Sequence, residues 1–130
     1  MRGGSVNQSP DSREPVTDLE LDPQRLARSC HEAMILAVLD DSPRHGYQLA
    51  LEIEARSRSA FRFNHGTLYP ILHKLEADGL IDGAWTASAG KRRRRRYGLT
   101  AAGRERLAAL RDAWTTFTML LFGVIGRNEP

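Results

Sequence analysis

The stretch FRFNHGTLYPILHKLEADGLI, residues 61–81, decides how this chain is read. Leu68, Ile71, Leu72 and Leu75 stand at i, i+3, i+4 and i+7, so a helix here carries one apolar stripe. Asn64 can cap it by accepting from a free first-turn N–H, and Phe63 can fold back onto Leu68 as a hydrophobic staple. Gly79 stands where a left-handed residue would stop the helix. Pro70 is discordant. It has no N–H and its ring crowds the preceding turn, so regular hydrogen bonding is expected only from around Gly66. With the stripe turned inward, the outward side near the helix start offers Asn64, His65, Thr67, Tyr69, Pro70, His73 and Lys74.

Upstream, a polar linker at residues 57–60 separates this helix from another over residues 46–56, whose expected buried side is Tyr47, Leu49, Ala50 and Ile53. Asp40, Asp41, Ser42 and Pro43 end an earlier helix, because proline disfavours helical geometry in the residue before it. In that helix Leu26, Cys30, Met34, Ala37 and Val38 recur at helical spacing. The segment AMILAVL, residues 33–39, is apolar on every side and should be central to the core. Residues 1–24 hold almost no large apolar side chains and carry two arginines against five acids, net −3. Such a composition cannot offset the entropy of ordering, so these residues are expected to form a flexible tail. Cys30 is the only cysteine. It excludes a disulfide within the chain, fits a reducing compartment, and is expected as a small buried side chain.

Downstream, residues 80–88 and 92–99 flank the turn Ala89-Gly90-Lys91, with Ile81, Trp85, Tyr97 and Leu99 as strand formers, and the pattern predicts a hairpin. Trp85 is expected in its core. Alternation places Arg93 and Arg95 on the face of Tyr97 and Leu99, and Arg92, Arg94 and Arg96 on the other. Lys91 and Arg92, Arg93, Arg94, Arg95 and Arg96 put six cations in six residues of a chain whose net charge is only +3 and whose pI is about 9.5. A field focused in this way favours a polyanionic partner. Thr100 can cap a last helix in which Leu107, Leu110, Trp114, Phe117, Leu121 and Val124 follow 3-4-3-4-3 spacing, a seam that calls for a partner helix. Residues 33–39 of a second subunit would supply one.

Three helices, a basic hairpin and a dimerisation helix follow the order of a winged helix-turn-helix. The expected fold is therefore mainly α with a small β-hairpin: a tail at 1–24, a DNA-binding winged helix-turn-helix at 25–99 and a C-terminal dimerisation helix at 100–126. HGYQLALEIE, GTLYPILHKLEADGLI and RRYGLTAAGRERL also resemble the PadR-like transcriptional regulators over roughly residues 33–115. The single helix after the wing is similar to the shorter subgroup of that family. The resemblance implies a dimeric regulator, usually a repressor, whose third helix enters the major groove and whose wing meets the backbone or minor groove of a pseudo-palindromic operator. It also makes Trp114 a candidate for stacking a small aromatic effector, beside its plainer role in interface packing. One departure is that Gly90 precedes Lys91 where the family commonly has proline.

The outward residues suit DNA: a helix N-terminus favours phosphate, Tyr69 offers a hydroxyl and Lys74 a cation. No arginine lies on this helix to grip guanine, which leaves Asn64, His65, Thr67 and His73 as base readers. No G-x-S-x-G, P-loop, H-x-x-x-H or C-x-x-C is present, so neither an enzyme, a cofactor nor a metal is expected. The N-terminus lacks a secretory pattern, and the apolar run at 117–125 is far below spanning length, so the expected location is cytoplasmic with no membrane partner. The rival reading is a winged helix that sets its basic wing on an acidic protein partner.

Overall fold

The computed structural model describes residues 23–87 and 93–128. The first 22 residues of the expected tail, the hairpin turn, Lys91 and Arg92 lie outside these. The chain opens with α1, Pro23–Leu26, two residues earlier than the composition suggests, and tightens into a 3₁₀ turn, Ala27–Cys30. The three-residue turn shifts the helical register. Ala27 therefore meets the core while Leu26, expected inward, stands 56% exposed. Cys30 is half-buried, which pushes its thiol pKa upward.

Helix α2, His31–Asp41, buries Ile35, Leu36, Val38 and Leu39. As its all-round apolarity required, it touches much of the molecule, packing on the helix that follows and on the last one. Leu36, Leu49 and Leu72 come from three different helices and are all fully buried. Each such side chain contributes roughly 1.5–3 kcal/mol.

After Pro43 the chain makes a two-residue strand β1, Arg44–His45, then α3, Gly46–Arg56, on which Leu49 and Ile53 face inward. Tyr47, expected among them, is 60% exposed. It stands in the first turn, beyond the edge of the core.

Helix α4, His65–Ala77, is capped as expected, with the Thr67 N–H donating to Asn64 Oδ1 at 2.9 Å. It does not wait for Gly66: Leu68 N–H already donates to the Asn64 carbonyl, and the helix continues through Pro70. The proline sits on the exposed side, where water can serve the Gly66 carbonyl that lacks its usual donor. Gly79, at φ +79°, ends the helix. Gly79 N–H donates to Glu76 O and Leu80 N–H to Leu75 O, the paired closure of a Schellman motif.

Strands β2, Ile81–Thr86, and β3, Arg94–Leu99, form the hairpin. The sheet has a third, unexpected member, because β1 pairs along the outer edge of β3 in the order β1-β3-β2. Register places Gly83 opposite Tyr97 and Trp85 opposite Arg95. Helix α5, Ala101–Ile125, begins at a Thr100 cap that accepts from Gly103 N–H at 3.0 Å. Leu107 and half-buried Leu110 belong to or pack against the subunit's own core, and Trp114 is half-buried, whereas Phe117, Leu121 and Val124 are exposed. The apolar run judged too short for a membrane is part of a helix that is long and apolar enough to cross one, although none of its most apolar window is buried.

Candidate nucleic-acid interface

The exposed side of α4 is assembled from a four-residue rhythm. His65, Tyr69 and His73 lie one above another, and the His65 and Tyr69 rings stand 5.4 Å apart. Facing them across a groove of about 440 Å³ are Trp85, Arg93 and Arg94 of the wing, with His45, Gly46 and Tyr47 closing one end. Tyr69 is half-buried because its ring lies against the start of α3: a Cβ added at Gly46 would come within 2.5 Å of its hydroxyl oxygen. The contact fixes the angle between the two helices of the helix-turn-helix.

The wing divides as alternation predicted. Arg94 and Arg96 are exposed on one face, and among the described residues neither forms an ion pair with a carboxylate. Arg93 lies on the other face, its guanidinium 4.8 Å above the Trp85 ring. Arg95 shares that face but is only partly exposed and is tied to Glu76 of α4. Trp85 is not hairpin core. It is 54% exposed, because the sheet face beneath it extends past the last core layer, and two guanidiniums cover it in place of apolar side chains. Tyr97 takes the core position instead, and burial pushes its phenol pKa up against the opposing pull of Arg95.

The remaining sequence candidates are more dispersed. Asn64 and Thr67 are exposed at the helix start, with the Asn64 side-chain oxygen engaged in the cap. Pro70 and Lys74 open onto a different hollow shared with Glu32 and Arg106, and Lys74 donates to Asp78 at 3.1 Å. The structure thus brings His65, Tyr69, His73, Arg93, Arg94 and Arg95 to one groove and leaves Pro70 and Lys74 at its back. Sequence reasoning missed His45, Tyr47 and Trp85 as groove residues. The available signal was a helix beginning at Gly46, whose N–H groups had to open beside the next helix. Among the described residues no three His, Cys, Asp or Glu side chains come together to hold a metal ion.

A helix-turn-helix with its outer helix exposed beside a basic β-ribbon defines a winged-helix protein of the DNA-binding class. The sequence matches the transcriptional regulator PadR-like family over residues 35–109, and the chain belongs to that family. It is 43% identical over 90 residues to transcriptional regulator Rv3488 of Mycobacterium tuberculosis, covering 69% of this chain and 78% of that one. Among solved structures, smu.1704 of Streptococcus mutans is 32% identical with a TM-score of 0.63, over 76% of this chain and 90% of that one. A PadR family regulator of Eggerthella lenta has a TM-score of 0.70 at 24% identity over 80% and 88%, a likeness of fold alone. The protein is therefore a DNA-binding transcriptional regulator of a family that contains regulators, not enzymes.

Proposed function

We propose that the protein represses transcription in the cytoplasm as a homodimer on a pseudo-palindromic operator. Each subunit lays the start of α4 in the major groove, with Asn64, His65, Thr67 and His73 toward base edges and Tyr69 toward phosphate. The wing sets Arg93, Arg94 and Arg96, together with Lys91 and Arg92, against the backbone or a narrow minor groove. Pro70 and Lys74 lie at the margin of this contact. Two α5 helices join the subunits through Trp114, Phe117, Leu121 and Val124, with α2 of the partner covering the seam, and space the two α4 helices about one DNA turn apart. A small aromatic effector stacking on Trp114 would release the operator by favouring a dimer of different spacing, provided it binds that state more tightly. The edge-to-face pair of Trp114 and Phe117, 5.6 Å apart, supplies the aromatic surface for either role.

The observation that carries this reading is the single groove in which the outer stripe of α4 faces the exposed arginines of the wing. Mobility shifts on the region upstream of the protein's own gene, repeated across a salt series, test it. Replacing Arg94 and Arg96 with alanine in both subunits removes four phosphate partners if each contacts one. The slope of log affinity against log salt should then fall by about 3.6. An unchanged slope means that Arg94 and Arg96 do not meet phosphate.

A further inference from the structure

Arg95 stands in the middle of the arginine run, yet its environment differs from that of its neighbours. Its Nη2 donates both to Glu76 of α4 and, at 3.0 Å, to the Gly83 carbonyl of β2. Gly83 N–H in turn donates to the same Glu76 oxygen at 3.3 Å. The guanidinium carbon lies 5.2 Å from the centre of the Trp85 ring and 5.8 Å from that of Tyr97, and Nε is closed off from solvent. The Arg95 carbonyl faces His45 Nδ1 at 3.1 Å, so the same residue also binds the strand that leads into α3. The absence of a side chain at Gly83 makes room for this placement: a Cβ would come within 2.7 Å of Arg95 Nε and displace the guanidinium.

Glu76 is equally informative. An acid in the last turn of a helix opposes the helix dipole and gains nothing locally. Its placement is explained by what it holds across the gap. The hairpin is anchored to the core at Ile81, Tyr97 and Leu99, and Thr86 and Arg94 lie at the far end of the paired register. A two-stranded ribbon is only marginally stable alone, and the Glu76–Arg95 pair bridges it to α4 partway to its tip.

We propose that Arg95 is not a DNA contact but a positioning residue: with Glu76 and Gly83 it forms a strut that fixes the pitch of the wing relative to α4, so that helix and wing reach the duplex as one rigid body. The inference rests on the reading that the wing meets phosphate. The two readings predict opposite signs for removal of the Glu76 charge. If Arg95 were a phosphate contact, Glu76→Gln would release it and remove a repelling acid, so binding would tighten. If the strut positions the wing, the same change weakens binding.

The test uses the full-length protein and a fluorescein-labelled duplex of mixed sequence long enough for two half-sites, with anisotropy read across a sodium chloride series well below the melting temperature. Glu76→Gln and Arg95→Ala should each weaken binding roughly five- to tenfold, the worth of a partly exposed charged hydrogen bond, with the salt slope unchanged. In a Trp114→Phe background, where Trp85 is the sole indole, both changes should also shift the emission of the free protein as the guanidinium leaves the ring. Tighter binding and a steeper slope for Glu76→Gln, or a slope lowered by Arg95→Ala as much as by Arg94→Ala, would overturn the strut. A role in stability alone, in which melting falls while affinity of the folded protein stays constant, would also overturn it. If Arg94→Ala and Arg96→Ala leave the slope unchanged and Glu76→Gln leaves affinity unchanged, it is the phosphate reading of the wing that fails, and the strut, which rests on it, falls with it.

Discussion

Two glycines show how one substitution can fail for two different reasons. Gly103, in the first turn of α5, is buried, and a Cβ there would collide with the Leu80 carbonyl and come within 2.6 Å of Leu99 Cδ1. Gly79 has nothing within 4 Å but sits at φ +79°. Gly103→Ala should cost about 1–3 kcal/mol by overpacking, and Gly79→Ala about 1–2 kcal/mol by backbone strain. Asparagine separates the causes in a thermal melt. It tolerates the left-handed conformation, so Gly79→Asn should melt above Gly79→Ala, whereas Gly103→Asn should melt below Gly103→Ala. His31 gives a test in pH. Its ring packs 4.6 Å from Phe63, and burial, aided by the Arg28 cation, holds its pKa below the ordinary 6.5. The unfolded chain therefore takes up this proton first, so the share of stability linked to His31 should be constant above 6.5 and fall as the pH drops from there toward the folded-state value. His31→Gln should remove that share of the acid destabilisation, measured as a flatter dependence of melting temperature on pH. Gly79 was legible from its place after an apolar stripe. Gly103 was not, because its constraint comes from a carbonyl 23 positions away in the chain.

At the scale of elements, periodicity was enough wherever one face of a helix meets the core. Leu68, Leu72 and Leu75 are buried as their spacing required, and the caps at Asn64 and Thr100 stand where hydroxyl or amide side chains precede apolar stripes. What escaped was set by tertiary contact. Strand β1 has two residues and no alternation to read, and exists because β3 offers it an edge. Trp85 looked like core because tryptophan usually is, but its partner across the ladder is Arg95, not an apolar residue. The candidate site was likewise half visible. The outward residues of α4 follow from its buried stripe, whereas the division of labour among the arginines depends on which one finds Glu76. Thr100 is the junction between elements. Its hydroxyl accepts from Gly103 N–H and lies 2.8 Å from the Gly79 carbonyl and 3.0 Å from that of Leu80. One side chain thus caps α5 and ties it to the end of α4. Thr100→Ala should cost about 1–2 kcal/mol, and at about 3–6 °C per kcal/mol for a chain of this size the loss is readily seen by calorimetry.

For the whole molecule, the question is what covers the far end of α5. Phe117, Met119, Leu120, Leu121, Phe122, Val124 and Ile125 are exposed, Val124 to 86%, and they lie on every side of the helix. A single 3-4 seam would cover one side only, so the proposed dimer must enclose this end with more than one partner helix, as the docking of α5 against α2 of a second subunit would do. Phe117 is the residue to change, because it is exposed in the subunit and its loss leaves the core around Leu107 untouched. Phe117→Asp would bury two carboxylates across the twofold axis without partners, a cost large enough to dissociate the dimer. Light scattering should then report a folded monomer. Salt dependence supplies the second, independent reading: each subunit brings its own wing, so a monomer keeps half the phosphate contacts and its slope should be half that of the dimer. Affinity should fall further than that halving implies, because the second half-site no longer benefits from the high local concentration that linkage provides. A Phe117→Asp protein that remains dimeric, with its full slope, would place the subunit interface elsewhere and leave the exposed end of α5 without the role assigned to it.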